Sequence, residues 1–256
     1  MTEDRLYPDI LFHFTNKESL FSILKKTFKI SYAREIILGR DVKREFAVPM
    51  VSFCDLRLSE LKNHINKYGS YGIGLSKKWA NYHGISPVMY INRHSYIADN
   101  LNNGLNGIYN HLNKLKDASK LDTLDKSYRN ILKTYQFIKN YEGHLIRKGN
   151  LINENYRFAE EREWRYVPSL EETGVEPFIA KTNIDTDAKK QKYNDRISDI
   201  SLHFQPNDIR YLIVKNPDEI EGLINHLNEV KGMFQDITRN KLISKILTVK
   251  QIHDDF

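Results

Sequence analysis

The sequence lacks several features on which common protein classes depend. It contains one cysteine, Cys54, which excludes a framework of internal disulfides and a cysteine-rich zinc site. Its histidines are scattered singly, without metal-ligand spacing, so we expect no metal site. No apolar run approaches the ~20 residues of a membrane-spanning helix, and we expect no membrane partner. Because the first residues are acidic and polar, we expect no signal peptide and a cytoplasmic protein.

Glycine loops that bind phosphate are missing as well. The chain has no Walker loop and no dinucleotide fingerprint of three spaced glycines. Gly69, Gly72 and Gly74 fail that spacing and precede a predicted strand, whereas the fingerprint joins a strand to a helix. The sequence therefore gives no sign of the nucleotide-binding folds that are built on such loops.

Aromatic residues compensate for a modest content of aliphatic ones. The hydrophobic share is 40%, but the chain has fifteen tyrosines and twelve phenylalanines, and aromatic side chains bury large areas. The 256 residues are enough for one large domain or for a domain with an insertion. We predict a single domain over residues 1–256.

Most of the net charge of +6 lies between Gly104 and Asn150. Nine basic and four acidic residues fall in this stretch, a surplus of five. The basic residues are Lys114, Lys116, Lys120, Lys126, Arg129, Lys133, Lys139, Arg147 and Lys148. A localised basic face can attract phosphate backbones, so the stretch indicates either nucleic-acid binding or a solvated, lysine-rich helical face.

The order of the predicted elements is mixed, without regular strand–helix alternation. Runs rich in β-forming residues predict strands near 11–14, 28–33, 48–54, 71–75, 87–91, 164–167, 209–214 and 246–249. Helices are predicted near 59–67, 77–82 and 216–230. Between about 94 and 150, apolar residues up to Tyr141 recur near helical spacing, which predicts a basic helical insertion. The fold class is therefore α+β.

Three segments place polar groups on or beside predicted strands. In the first, His13 and Thr15 alternate along a strand and share one face, which suits recognition of a ribose or, equally simply, a half-exposed histidine followed by a helix cap. In the second, Tyr68 and Tyr71 flank a tight turn. Their rings could sandwich a flat cationic ring or pack in an aromatic core.

The third segment, residues 160–165, supplies the most informative acid. Glu163 enters a predicted strand and shares one face with Glu161. A carboxylate beside a reacting sugar stabilises an oxocarbenium-like centre, as in glycosidases. The alternative is an exposed strand start with weak Glu–Arg pairs. Cys54 has no partner that would activate a nucleophile, and we expect a small buried side chain.

Together these segments resemble a known family, the abortive phage resistance protein AbiGi family. The matching residues are 11–15, 49–55, 68–75, 79–80, 87–90, 161–165 and 246–256. Members are classed as antitoxins of two-gene phage-defence systems, paired with a nucleotidyltransferase-like toxin. The resemblance therefore implies a protein partner, either a toxin or an antitoxin.

The segment order also resembles the ADP-ribosyltransferase fold, including DarT-like enzymes that modify DNA. That resemblance implies a mixed or antiparallel split β-sheet with flanking helices, and NAD as cofactor. Its implied cofactor-binding residues are His13, Thr15, Arg34, Ser52, Tyr68 and Tyr71. Glu163 would be the catalytic acid.

Three hypotheses follow from the sequence. The leading one is an NAD-binding ADP-ribosyltransferase of phage defence that modifies a macromolecule, with nucleic acid among the candidates. The second is a catalytically silent antitoxin that binds and neutralises a partner toxin. The third is a nucleic-acid-binding protein that uses the basic residues of 114–148.

Overall fold

The computed structural model describes residues 8–115, 118–147, 150–169 and 174–255. Its strands, numbered in chain order, are β1 (Ile10–Thr15), β2 (Phe28–Lys29), β3 (Ser31–Leu38), β4 (Lys43–Cys54), β5 (Tyr71–Ser76), β6 (Ser86–Pro87), β7 (Met89–Ile91), β8 (Ile138–Asn140), β9 (Gly143–Arg147), β10 (Asn150–Tyr156), β11 (Glu163–Tyr166), β12 (Ile179–Ala180), β13 (Ser201–Leu202), β14 (Ile209–Val214) and β15 (Ile246–Thr248). The α-helices are α1 (Lys17–Lys25), α2 (Leu61–Tyr68), α3 (Lys77–Tyr82), α4 (Ile97–Leu112), α5 (Ala118–Tyr135), α6 (Asp187–Arg196), α7 (Ile220–Val230), α8 (Asp236–Ile243) and α9 (Val249–Asp255). Short 3₁₀ turns include Leu58–Glu60, Phe158–Glu161 and Pro217–Glu219.

A nine-stranded mixed sheet forms the centre of the fold. Its strand order is β15-β14-β5-β1-β4-β11-β6, and β3 and β12 also pair along the long strand β4. In this sheet β14 and β15 run parallel, and the other pairs are antiparallel. The α+β class predicted from the sequence is confirmed.

The sheet consists of two halves that meet at one residue pair. Strand β1 pairs with β5 along its whole length, from Ile10 opposite Ser76 to Thr15 opposite Tyr71. Its ladder with β4 has the single pair Phe12–Cys54. Strand β4 uses the rest of its length to pair with β11, β3 and β12. This sparse joint leaves room for side chains between the halves.

Alternation along β1 sends its side chains to opposite faces of the sheet. Leu11 packs into a core with residues of α1 and α7, such as Leu20 and Leu223. Phe12 lies in a second core on the other face, with Leu61 of α2 and residues of α9. The sheet is therefore covered on both faces, as a buried joint requires.

The predicted helical insertion is only partly correct. Helices α4 and α5 fill residues 97–112 and 118–135, but the chain from Ile138 forms strands β8, β9 and β10. Strand β8 pairs parallel with β7, placing Ile138 opposite Met89. The prediction was wrong for 138–147 because short apolar runs fit helical and strand periods alike. Residues 116–117 and 148–149 lie outside the described residues.

Several predicted elements match the structure closely. Helix α3 and strand β14 have the predicted bounds. Asn16 caps α1 by accepting a hydrogen bond from the Ser19 amide at 2.8 Å, and Ser76 caps α3. Among the helices that the structure describes, none is both long and apolar enough to cross a membrane.

Candidate functional site

A cavity of about 210 Å³ lies at the joint between the two sheet halves, and we call it the central cavity. It brings together His13, Ser52, Tyr68 and Glu163, all of them predicted site residues. The remaining lining residues are Phe12, Phe14, Ala33, Glu35, Met50, Phe53, Cys54, His64, Lys139 and Glu161. Both sheet halves and helix α2 therefore contribute to one site.

His13 links the two halves through its ring. Its Nδ1–H donates to the main-chain carbonyl of Ser52 at 2.8 Å, and the ring lies against Phe28 and Phe53. Burial lowers the pKa of His13, although the carbonyl contact acts in the opposite direction. The ring is thus neutral at pH 7, with Nε2 as the remaining acceptor. Ser52 contributes through its main chain.

Tyr68 is held at the end of α2 by an unusual turn. Gly69 follows it with a φ of 121°, and a side-chain carbon there would collide with the carbonyl oxygen of Thr15. The Tyr68 ring stacks on His64 with centroids 4.3 Å apart. Its hydroxyl donates to Glu161 Oε1. The glycine therefore lets the helix end close to β1 and places the tyrosine in the cavity.

Both carboxylate oxygens of Glu163 accept a hydrogen bond from a cation. Arg165 Nε donates to Oε1 at 2.6 Å and Lys139 Nζ donates to Oε2 at 2.6 Å. Burial alone would raise the pKa of Glu163, but the charges of Arg165 and Lys139 outweigh it and lower the pKa to about 2. Glu163 is therefore an ion-paired carboxylate at every physiological pH.

Glu163 belongs to a larger set of charges that we call the buried ionic cluster: Glu35, Lys139, Glu161, Glu163 and Arg165. Arg165 is fully buried, pairs with Glu35 at 3.0 Å, and donates to the Gln136 carbonyl at 2.8 Å. Burial would lower the pKa of Lys139, yet the charges of Glu163 and Glu35 raise it. The cluster ties β3, β8 and β11 together.

Glu161 has a different environment from Glu163. It is 5% exposed, and its Oε1 accepts hydrogen bonds from Tyr68 and Tyr156. Among the described residues, Lys139 is the one cation within 4 Å of its carboxylate, at 3.8 Å from Oε2. The negative charge of Glu161 is therefore stabilised mainly by hydrogen bonds from two neutral hydroxyl groups.

Arg162 turns the chain so that both acids enter the same cluster. It has a φ of 44°, the left-handed region that non-glycine residues rarely occupy. Such a conformation costs roughly 1–3 kcal/mol. Its guanidinium is held by the Glu60 carboxylate at 2.8 and 3.1 Å, which supports the turn. The local strain thus places Glu161 and Glu163 side by side.

Two further cavities adjoin the central one. The second, of about 280 Å³, shares His64 and Glu161 with it. The third, of about 390 Å³, shares Glu35, Tyr68 and Lys139 and is bordered by residues 143–146 of β9. The three cavities form a groove that runs past the ionic cluster.

Three predicted site residues do not line the central cavity: Thr15, Tyr71 and Arg34. Thr15 lies opposite Tyr71 in the β1–β5 ladder. The Tyr71 hydroxyl donates to Glu219 at 2.6 Å, and burial together with that carboxylate raises its pKa to about 12. Arg34 lines the third cavity, and its Nε donates to the Ile184 carbonyl at 2.7 Å.

Cys54 is buried, as predicted. Burial raises the pKa of its thiol well above the ordinary value, and the charges of Glu161 and Asp55 act in the same direction. A thiol in this state is a poor nucleophile. Within the part of the chain that the structure describes, no group of three or more His, Cys, Asp or Glu side chains could hold a metal ion.

The basic residues of 114–148 do not form one continuous face. Lys139 belongs to the ionic cluster, and on α5 Lys126 pairs with Asp122 and Arg129 with Asp125. Lys116 and Lys148 lie outside the described residues. Nucleic-acid binding through this stretch stays a prediction.

Comparison with known proteins identifies the family. The sequence model described as "Putative abortive phage resistance protein AbiGi, antitoxin" matches residues 23–215. The chain is 28% identical over 230 residues to the abortive phage resistance protein AbiGi of Lactococcus lactis subsp. cremoris, a match that covers 83% of this chain and 90% of that relative. No solved structure matches, so the ADP-ribosyltransferase fold stays a prediction. The resemblance inferred from the sequence motifs is thus confirmed at the level of the family: this chain belongs to the AbiGi family of abortive phage resistance proteins.

Proposed function

We propose that this chain is an antitoxin of a phage-defence system that acts by binding its partner toxin and has no catalytic activity of its own. The family description supports the antitoxin role. We infer the absence of catalytic activity from the ion pairing of Glu163, the residue that an ADP-ribosyl transfer would require.

A carboxylate that assists glycosyl transfer must present at least one oxygen to the reacting sugar. In Glu163 both oxygens are bound at 2.6 Å, one by Arg165 and the other by Lys139. Its negative charge is already balanced, so it adds little to the stabilisation of a developing positive charge. This geometry suits a structural ion pair that holds the strands of one sheet half together.

The test combines a binding assay and an activity assay on the purified protein. We expect the protein to neutralise the toxin encoded beside it in a stoichiometric complex. We also expect no calorimetric heat and no release of nicotinamide with millimolar NAD. NAD turnover that is lost in a folded Glu163→Gln variant would contradict the proposal, as would a failure to bind the toxin.

An NAD-dependent ADP-ribosyltransferase is the second candidate. It is supported by the convergence of His13, Ser52, Tyr68 and Glu163 on the central cavity. The cavity volume of about 210 Å³ admits only the nicotinamide end of NAD, and the remainder would extend into an adjoining cavity. Binding would also have to displace Lys139 or Arg165 from Glu163. The NAD experiment above separates this candidate from the first.

A further inference from the structure

The buried ionic cluster holds one more acid than base. Its acids are Glu35, Glu161 and Glu163, and its bases are Lys139 and Arg165. Buried charges in proteins are paired as a rule, because an unpaired ion loses its hydration without compensation. The groove therefore contains a carboxylate for which the cluster supplies no cation of its own.

Two cations that border the cluster are engaged with other acids, and a third, Lys67, lies over the ring of Tyr156. Arg162 binds Glu60 at 2.8 Å, and Lys77 binds Asp55 at 2.7 Å. Neither is within ion-pair distance of Glu161. The surplus charge is thus not balanced by these neighbours.

Glu161 is the acid that carries this surplus. Lys139 lies 2.6 Å from Glu163 but 3.8 Å from Glu161, so its main ion pair is with Glu163. Tyr68 and Tyr156 both donate to Oε1, which leaves Oε2 as the oxygen with the weaker set of partners. Glu161 lines both the central and the second cavity.

The walls of the central cavity suit a cation of side-chain size. The rings of Phe14, His64 and Tyr68 line it, and aromatic faces attract guanidinium and ammonium groups. A cavity of roughly 150 Å³ holds one benzene ring, whereas pockets for larger ligands span about 300–1,000 Å³. At about 210 Å³, the central cavity matches a single arginine or lysine side chain.

An exposed apolar surface lies beside this groove. The β9–β10 hairpin leaves Ile146, Leu151 and Ile152 about half exposed, and residues 143–146 also border the third cavity. Among the described strands, β10 pairs with β9 and with no other. Protein interfaces combine apolar contact of this kind with buried arginine anchors.

We propose that the central cavity receives an arginine or lysine side chain of the partner toxin, with the exposed hairpin as the adjoining contact surface. The inference rests on the proposed antitoxin function. Charge complementarity selects the occupant, because the chain carries +6 overall, whereas the lining of the central cavity contains three acids and one base, Lys139. A basic anchor is therefore drawn to this site and repelled by most of the remaining surface.

The test compares two neighbouring glutamates. Glu161→Gln removes the charge that the anchor would meet, and Glu160→Gln is the matched control because the Glu160 side chain is 65% exposed. With each variant, toxin affinity is measured by interferometry at low and moderate salt. We expect Glu161→Gln to weaken binding at least tenfold and Glu160→Gln to change it less than twofold.

A second measurement does not depend on the variant's fold. Arginine amide at millimolar concentration should displace the toxin from wild-type protein, whereas glycine amide at equal ionic strength should not. Toxin binding that is unaffected by Glu161→Gln and by arginine amide would overturn the inference while leaving the antitoxin function intact. Absence of any wild-type complex would overturn both. Self-association that depends on Glu161 would assign the cavity to a second copy of this chain and overturn the proposed partner.

Discussion

The two halves of the central sheet are stabilised by different kinds of contact. The half formed by β15, β14, β5 and β1 is buried through aliphatic side chains such as Leu75 and Leu212. The half formed by β4, β11 and β3 encloses charges at its centre, where Arg165 pairs with both Glu35 and Glu163. The first arrangement provides stability through area buried, and the second fixes side-chain positions at a cavity. The candidate site lies where the two meet.

The largest loss of folding stability is expected when an ion pair in the half formed by β4, β11 and β3 is removed. Arg165→Met removes the guanidinium and leaves Glu35 and Glu163 buried without their main partner. The free energy of unfolding should fall by about 3–5 kcal/mol, the usual result of removing one member of a buried ion pair. Urea denaturation followed by circular dichroism measures it. A loss below about 1 kcal/mol would mean that the cluster is solvated in solution.

The matching change in the apolar half is Leu212→Ala. Leu212 is fully buried in β14, so truncation should cost about 2–5 kcal/mol through lost burial and a residual cavity. Because no charge is involved, this loss should be the same in low and high salt. If the two variants respond equally to salt, the contrast between the halves is wrong.

Gly69→Ala tests the joint itself. At a φ of 121°, alanine is strained, and its methyl group would also meet the Thr15 carbonyl. We expect a destabilisation of about 1–3 kcal/mol, together with weaker toxin binding, because Tyr68 would shift. Gly84→Ala is the control: Gly84 has a φ of 65°, but a side-chain carbon there meets nothing within 4 Å. Equal effects of both variants would show that only the backbone angle matters.

A further prediction concerns the pH dependence that Glu163 contributes to stability. The pKa of Glu163 is about 2 in the folded chain, below its ordinary 4.5. Its contribution to stability is therefore complete above about pH 5 and is lost as the pH falls from there towards 2. Unfolding midpoints measured across this range should decline less steeply in Glu163→Gln than in wild type. Parallel curves would contradict the assigned pKa.

Local sequence patterns predict the apolar half better than the ionic half. Helix α3 and strand β14 follow from local periodicity and have the predicted bounds. The sequence predicts Glu163 as a catalytic acid and places Lys139 in a basic helical insertion, whereas the structure pairs the two side chains. The pairing of Lys139 with Glu163 depends on β8 lying beside β7, a contact that no local pattern encodes.

The same limit applies to the predicted cofactor residues. Strand alternation places His13 and Thr15 on one face, yet only His13 lines the central cavity. A face of a strand does not specify which cavity lies above each of its residues. For Tyr71, the partner Glu219 is 148 residues away in the sequence, and tertiary packing alone brings the two together.

Exposure of the purified protein to millimolar NAD distinguishes a catalytically silent antitoxin from an ADP-ribosyltransferase. The readouts are calorimetric heat and nicotinamide release, measured in parallel with titration of the partner toxin on the same sample. We expect a stoichiometric toxin complex, no heat from NAD and no free nicotinamide. Release of nicotinamide by wild type, abolished in a folded Glu163→Gln variant, would contradict it.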